Sequence, residues 1–279
     1  MSRNILIISP HLDDAALSLS QHILYWLAKG DTVTIATLFT RGSVEQQTLY
    51  TARKAEDLEA AAKLGATSIY LNFLDAPFRF LEPISYTNIL SWPTQPSIEE
   101  AVMKELTTIL HSHQFDTILA PLGVGNHVDH RVAFNAAHAL SYKQTLYYEE
   151  RPYAIVPEHI QMRTGEPVSF DASFWERYWS TGYISSFSEQ KDHKNIMELY
   201  EKEGTRAEQP KLVRHSSMHN HKLAQQSLAV VSLYKTQTPA LYPHPQEFQD
   251  LYLNTPETLW ILQAHDNPLM QNNCRVEKI

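Results

Sequence analysis

The first 150 residues alternate between short apolar runs and longer segments with apolar residues at helical spacing. The apolar runs predict five strands, at residues 4–9, 32–39, 68–74, 116–122 and 144–150. The segments between them predict helices at 14–30, 45–65, 97–113 and 127–142, and the first two end at glycines. Continuous apolar runs are typical of strands that are covered on both faces. The pattern therefore predicts an α/β fold with a Rossmann-like, doubly wound and mostly parallel sheet.

The start of the third predicted helix carries a capping signal. Ser97 and Glu100 have the spacing of a capping box, which predicts that Ser97 is the N-cap of this helix.

The regular alternation of strand-like and helix-like segments ends near residue 150, and an aromatic-rich stretch follows at 174–187. Helical spacing at 194–204 and 218–237 predicts two helices, and the run at 258–263 predicts a late strand. No clear linker marks the change. We therefore expect a catalytic core at residues 1–150 and a C-terminal extension at 151–279, which packs on the core and lines the substrate site.

Composition and charge narrow the class of protein. The formal net charge of −8 argues against a nucleic-acid binder, because such proteins usually carry a basic excess. No apolar stretch approaches the length of a membrane span, and the apolar run near the N-terminus is too short for a signal peptide. The single cysteine, Cys274, excludes an intramolecular disulfide. These features predict a soluble, cytoplasmic protein.

Titratable residues follow the first and fourth predicted strands, within the sequences PHLDD (10–14) and GNHVDH (125–130). No GxGxxG sequence follows the first strand, so the dinucleotide fingerprint is absent. In an open sheet of order 3-2-1-4-5, ligands bind between strands 1 and 4, outside the carboxyl ends of the strands. We therefore expect these two loops to meet there, although they lie more than a hundred residues apart.

The residue types in these loops indicate a metal site. Histidine and carboxylate ligands suit Zn²⁺, and a catalytic zinc has three protein ligands and one open position. His11 and Asp14 are three residues apart at a helix start, and His127 and His130 share one helical face. His11 and Asp14 need only one further ligand from these loops. One carboxylate and one histidine are then left over, and hydrolysis requires such groups as its base and acid. Adjacent aspartates at a helix start are also common as caps, so the first loop alone does not establish a metal site.

Together, the sequences Pro-His-x-Asp-Asp and His-x-Asp-His resemble the two motifs of the PIG-L/LmbE-like deacetylases, the GlcNAc-phosphatidylinositol de-N-acetylase superfamily. That family has a Rossmann-like fold. Carried over by position, the resemblance implies that His11, Asp14 and His130 bind the metal. It also implies that Asp13 is the general base, and that His127 stabilises the oxyanion or protonates the leaving amine.

Three further residues receive a role from the resemblance. Asp129 is implied to orient a histidine, while Arg53 and Asp75 match positions that contact the substrate. One departure is visible, since many members have Glu after the aspartate pair and this chain has Ala15. Any role that this glutamate has in other members of the family therefore cannot be assigned to Ala15.

The implied function is a hydrolase that removes the acetyl group from an N-acetyl amino sugar conjugate, a small molecule, and gives a free amine and acetate. The implied cofactor is Zn²⁺, although the ligand types also permit Fe²⁺ or another divalent metal. Two alternatives remain open. One is a metal-dependent amidase or esterase on a non-sugar N-acyl substrate, and the other is a metal-binding or sugar-binding protein without turnover.

Overall fold

A computed structural model of the protein describes residues 2–82, 84–204 and 211–263, and Cys274 lies outside these ranges. The strands in the described ranges are β1 (Asn4–Ser9), β2 (Thr32–Arg41), β3 (Thr67–Leu74), β4 (Thr117–Pro121), β5 (Thr145–Tyr148), β6 (Leu212–Met218) and β7 (Glu257–Leu262). The α-helices are α1 (Asp14–Ala28), α2 (Gln47–Leu64), α3 (Tyr86–Ser91), α4 (Pro96–Ser112), α5 (Val128–Ala139), α6 (Pro157–Thr164), α7 (Ala172–Ser180), α8 (Gly182–Phe187), α9 (His193–Gly204), α10 (His221–Val231), α11 (Thr238–Leu241) and α12 (Pro245–Asn254).

The strands of the described chain form one mixed sheet in the order β3-β2-β1-β4-β5-β7-β6. The first five strands in this order are parallel, whereas β7 runs antiparallel to both β5 and β6. The predicted α/β class and mostly parallel sheet are confirmed, as is the order 3-2-1-4-5. The sheet continues past residue 150, because β6 and β7 come from the later part of the chain. The division into core and extension stays a prediction.

The central strand β1 is covered on both faces, which explains its unbroken apolar sequence. Leu6 and Ile8 pack in a cluster with residues of α4 and α5. Ile5 and Ile7 pack in a second cluster with residues of α1, α2 and α10. Because successive side chains of a strand point to opposite faces, the alternation within β1 supplies both cores.

Two elements differ from the sequence predictions. The predicted capping box is wrong, because α4 begins at Pro96 with Gln95 as its N-cap and without a side-chain capping bond. Proline suits the first helical position, where no intrahelical partner exists for a backbone N–H. Residues 218–237 do not form one helix, since α10 begins only at His221, after Asn220, whose side chain accepts a hydrogen bond from the Leu223 N–H at 3.1 Å.

A separate, largely aromatic cluster joins α3 to elements from the later part of the chain. Its buried members come from α3, the loop before α6 and helices α7 to α9; they are Tyr86, Leu90, Val156, Phe174, Trp175, Tyr178, Tyr183, Ile184, Ile196 and Tyr200. None of the helices in the described residues has the length and hydropathy to cross a membrane.

Candidate metal centre and active site

The loops after β1 and β4 meet at the carboxyl edge of the sheet, because these two strands are neighbours. Possible ligand atoms of His11, Asp14 and His130 lie within 4.8 Å of one another. Nδ1 of His11 is 3.2 Å from Oδ2 of Asp14, and Nε2 of His130 is 3.3 Å from the same oxygen. One carboxylate oxygen and two imidazole nitrogens therefore converge on one point.

The ring of His130 is held by Glu150, a residue that the sequence analysis did not identify. Nδ1–H of His130 donates to Oε1 of Glu150 at 3.1 Å. The Glu150 carboxylate also accepts hydrogen bonds from the backbone N–H groups of Leu122, Gly123 and Val124. Nε2 of His130 is buried and faces Oδ2 of Asp14, 3.3 Å away. Because Glu150 holds Nδ1, Nε2 is directed at the same carboxylate oxygen as Nδ1 of His11, which is the arrangement of a metal ligand.

Asp129 holds the ring of His11. Its Oδ2 lies 3.2 Å from Nε2 of His11 and accepts the Ala76 N–H at 3.0 Å. Its Oδ1 accepts a hydrogen bond from the guanidinium of Arg79 at 2.5 Å. With its other nitrogen engaged in this way, His11 presents Nδ1 toward Asp14. Arg79 is a second residue that the sequence analysis did not identify.

A second donor set competes with the first. Possible ligand atoms of His11, His127 and Asp129 also lie within 4.8 Å of one another. The carboxylate of Asp129, however, is fully buried and already accepts from Arg79 and Ala76. His130, by contrast, directs Nε2 at the Asp14 oxygen that Nδ1 of His11 also faces. The geometry therefore favours the set that includes Asp14 and His130.

The pKa values of the two adjacent aspartates are shifted in opposite directions. Burial, followed by the charge of Asp14, raises the pKa of Asp13 to about 7. Burial acts on Asp14 in the same direction, but His130 and His11 hold the pKa of Asp14 well below its ordinary value. Asp14 thus stays ionised as a ligand must, while Asp13 can gain and lose a proton near neutral pH.

His127 lies beside the two histidines of the first set but outside it. Its ring centroid is 5.0 Å from that of His11 and 5.1 Å from that of His130. Its Nδ1 accepts the Asp129 N–H at 3.2 Å, so a neutral ring carries its proton on Nε2. Burial, followed by the charges of His11 and His130, holds the pKa of His127 well below its ordinary value. The ring therefore rests neutral, as a donor from Nε2.

Asp75 and Arg53 complete the set of predicted residues at this edge of the sheet. Asp75 accepts a hydrogen bond from the Tyr50 hydroxyl at 2.5 Å, and its other oxygen lies 3.6 Å from Nε2 of His11. The guanidinium of Arg53 lies 5.2 Å from the Tyr50 ring centroid, and its charge lowers the pKa of Asp13. The buried Nε of Arg53 has no hydrogen-bond partner among the described residues. The fold thus brings both residues to the metal centre.

The wall of the site depends on a glycine. Gly125, in the loop between β4 and α5, has a φ of +74°, and a Cβ there would lie 2.3 Å from the ring of Tyr153. Tyr153 in turn packs edge-on against His130, with 5.0 Å between ring centroids. Only glycine allows this close approach of the loop to Tyr153.

Comparisons with known proteins show which families and structures the chain resembles. Residues 6–141 match the family described as GlcNAc-PI de-N-acetylase, PIG-L. The 2'-N-acetylparomamine deacetylase of Streptomyces fradiae is 28% identical over 162 residues, which cover 53% of this chain and 57% of that protein. The matched region thus spans little more than half the length of that curated relative.

Solved structures resemble the whole described fold. A deacetylase of the teicoplanin biosynthesis pathway matches with a TM-score of 0.62 and 18% identity, over 93% of this chain and 98% of that one. The A40926 pseudoaglycone deacetylase matches with a TM-score of 0.59 and 19% identity, over 94% and 97% of the two chains. At this identity the likeness supports the α/β fold. The family match over residues 6–141 and the curated deacetylase support the PIG-L, LmbE-like family for this chain.

Proposed function

We propose that the protein is a zinc-dependent N-deacetylase that hydrolyses the acetamido group of an N-acetyl amino sugar conjugate. The observation that carries this proposal is the convergence of His11, Asp14 and His130, in which Nδ1 of His11 and Nε2 of His130 both face Oδ2 of Asp14. Three nitrogen and oxygen ligands with an open position are typical of catalytic zinc, whereas structural zinc has four protein ligands. Fe²⁺ would also accept imidazole and carboxylate ligands.

A divalent metal in this set supplies Lewis-acid activation of the amide carbonyl and of the attacking water. Asp13 takes the proton of that water. Burial and the charge of Asp14 raise the pKa of Asp13 to about 7, which suits a general base near neutral pH. The water oxygen bonds to the acetyl carbon and the C–N bond breaks. Asp13 then returns the proton to the leaving nitrogen, so that the amide and one water give a free amine and acetate.

His127 acts as a hydrogen-bond donor in this scheme. A neutral ring with its proton on Nε2 can donate to the carbonyl oxygen as negative charge develops there. Because burial, His11 and His130 hold its pKa low, this role suits His127 better than that of the acid for the amine. Asp129 contributes by fixing the His11 ring and, through its N–H, the His127 ring.

The sugar class of the substrate is supported by the relatives and by the polar residues around the centre. The curated relative is named for an N-acetylated paromamine. The unpaired, buried Nε of Arg53 offers a donor to a substrate oxygen, and Asp75 offers a carboxylate that can accept from a hydroxyl. A small-molecule partner, as opposed to a nucleic acid, agrees with the net charge of −8. The cytoplasmic location expected from the sequence stays a prediction, which cell fractionation tests.

A substrate screen separates this proposal from its two alternatives. Zinc-loaded protein is incubated with 2'-N-acetylparomamine, N,N'-diacetylchitobiose, an N-acetyl amino acid and p-nitrophenyl acetate, and acetate and free amine are measured. Release of amine from the sugars alone supports the proposal. Turnover of only the non-sugar compounds favours the amidase or esterase, and one bound metal without any turnover favours a binding protein.

A further inference from the structure

Arg79 and Asp129 form a buried ion pair beside the metal centre. Nη2 of Arg79 lies 2.5 Å from Oδ1 of Asp129, and the two side chains are 5% and 0% exposed. Nε of Arg79 donates to Oε1 of Gln95 at 3.0 Å, and Nη1 donates to the Leu74 carbonyl oxygen at 2.7 Å. The guanidinium also lies 4.7 Å from the Phe39 ring centroid. Because these partners hold the guanidinium against Asp129, Arg79 acts on this carboxylate and not on a substrate.

Asp129 belongs to the second of the two donor sets around His11. That set consists of His11, His127 and Asp129, whereas the first consists of His11, Asp14 and His130. Nδ1 of His11 faces Asp14 and Nε2 faces Asp129, each at 3.2 Å, so the two sets call on opposite nitrogens of one ring. A neutral imidazole carries one proton and offers a lone pair only on its other nitrogen. His11 can therefore serve one set at a time.

The role of Asp129 decides which set His11 serves. When Asp129 accepts a hydrogen bond from Nε2–H of His11, the lone pair lies on Nδ1, where the first set needs it. If Asp129 bound a cation instead, Nε2 of His11 would be the neighbouring ligand. The ring proton would then lie on Nδ1, and the first set would lose one of its three ligands.

Arg79 opposes the second set in two ways. Its Nη2 occupies Oδ1 of Asp129, while Oδ2 accepts the Ala76 N–H at 3.0 Å and faces His11. Its positive charge also repels a cation at Asp129, and burial of the pair keeps this repulsion from being screened by solvent. Without that charge, two carboxylates would lie beside Nε2 of His11, because Oδ1 of Asp75 is 3.6 Å from this nitrogen. Imidazole and carboxylate groups together suit a divalent metal.

We propose that Arg79 is a positioning residue that keeps Asp129 from binding the metal and thereby directs the metal to His11, Asp14 and His130. This inference rests on the metal centre of the proposed function, but not on its substrate or its reaction. It distinguishes Arg79 from a purely structural ion-pair partner, because loss of Arg79 should change which residues bind the metal.

The first measurement asks whether the second set can bind zinc while Arg79 is present. His130→Ala removes a ligand of the first set and leaves the second set complete. Competition with a chromophoric chelator should show zinc affinity lower by about 100-fold or more, at least the largest usual effect of losing an outer partner of a ligand. Adding His127→Ala should change nothing further. A further loss would mean that the second set binds zinc despite Arg79, which overturns the proposal.

The second measurement removes Arg79 from the same background. The double variant Arg79→Met/His130→Ala should bind zinc about tenfold or more tightly than His130→Ala alone, because Asp129 becomes available as a ligand. Adding His127→Ala to the double variant should abolish this gain. If the double variant shows no gain, or a gain that does not depend on His127, Arg79 does not direct the metal.

Two control variants in the His130→Ala background test whether the charge at Asp129 is responsible. Arg79→Lys keeps a positive charge and should give no gain in zinc affinity. Arg3→Met should give none either, since it breaks the ion pair with Asp31 at the opposite edge of the sheet. A gain in either control equal to that of Arg79→Met would overturn the proposal.

Circular dichroism checks the fold of every variant. Arg79→Gln, which lacks the charge but keeps a donor, repeats the second measurement if Arg79→Met does not fold, and the first measurement needs no change at Arg79. If zinc binding did not depend on His130 in the first place, the metal centre of the proposed function would be wrong. Loss of zinc in His130→Ala without recovery in the double variant would overturn the role of Arg79 alone.

Discussion

Nδ1 of His130 lies 3.1 Å from Oε1 of Glu150, and both side chains are completely buried. Backbone N–H groups of the loop after β4 hold the Glu150 carboxylate in place, so the carboxylate cannot turn away from the ring. The contact fixes the tautomer in which Nε2 of His130 is free to bind a metal, and it raises the basicity of that nitrogen. It also joins the end of β5 to the metal centre.

Glu150→Gln should weaken zinc binding about 10- to 100-fold, the usual effect of removing such a partner of a metal-bound histidine. The amide has no charge to offer His130, and its NH₂ group would face backbone donors. Competition with a chromophoric chelator measures the affinity. Glu149→Gln is the matched control, because its side chain contacts Trp260 instead of His130. Equal losses in the two variants would contradict the role of Glu150.

His130→Ala should remove most of the bound metal, while His127→Ala should retain it and lower kcat about 10²- to 10³-fold, the effect of losing an oxyanion donor. The reason is that His130 belongs to the favoured ligand set and His127 does not. Metal per chain is measured by mass spectrometry after dialysis. Comparable metal loss in both variants would mean four protein ligands, which a structural site has.

The local elements of the fold could be predicted from sequence because their signals are local. Residues 5–8 are apolar without a break since both faces of β1 are covered, and the structure has β1 over the predicted residues 4–9. β6 carries no such signal, because most of its residues are exposed or half-buried and it lies at the edge of the sheet. Its pairing with β7 is decided by tertiary contacts.

The residues of the candidate site also differ in whether the sequence alone could identify them. His11, Asp14, His127 and His130 stand at short spacings within two loops, so the sequence could point to them. Glu150 and Arg79 lie 20 and 50 residues from their partners His130 and Asp129, and no spacing marks them. The only signal for Glu150 was its place at the carboxyl end of a predicted strand, at the edge where ligands bind.

Asp13→Asn should keep the metal and the fold and lose about 10²- to 10⁴-fold in kcat, the usual contribution of a general base. Burial and Asp14 raise the pKa of Asp13 to about 7, and a bound divalent cation acts in the opposite direction. Because the base must be ionised, kcat/KM should fall as the pH drops through a pKa at or below about 7. That acidic limb should be absent from the residual activity of Asp13→Asn. An unchanged pH profile would assign the base to another group.

Zinc affinity should rise with pH, because the ligand histidines hold protons in the metal-free protein. Burial lowers the pKa of His130, but Asp14 and Glu150 together raise it to about 9. Burial likewise lowers the pKa of His11, and Asp75, Asp129 and Asp14 raise it well above its ordinary value. Metal binding near pH 7 must therefore release protons, and it should weaken as the pH falls. Titration calorimetry in buffers of different ionisation enthalpy counts these protons. A release of none would contradict the ligand assignment.

Gly125→Ala should damage the site, whereas Gly165→Ala should only destabilise the chain. Both glycines have a φ of +74°, so each alanine incurs the left-handed backbone cost, about 1–2 kcal/mol. A Cβ at Gly165 meets nothing within 4 Å, but one at Gly125 would lie 2.3 Å from the Tyr153 ring and would displace this ring, which packs against His130. Thermal unfolding should show a lower Tm in both variants, with the larger fall in Gly125→Ala. Zinc affinity and kcat should fall in Gly125→Ala alone. If the two variants lost the same stability and Gly125→Ala kept full activity, Tyr153 would be free to move, and its packing would not support the metal centre.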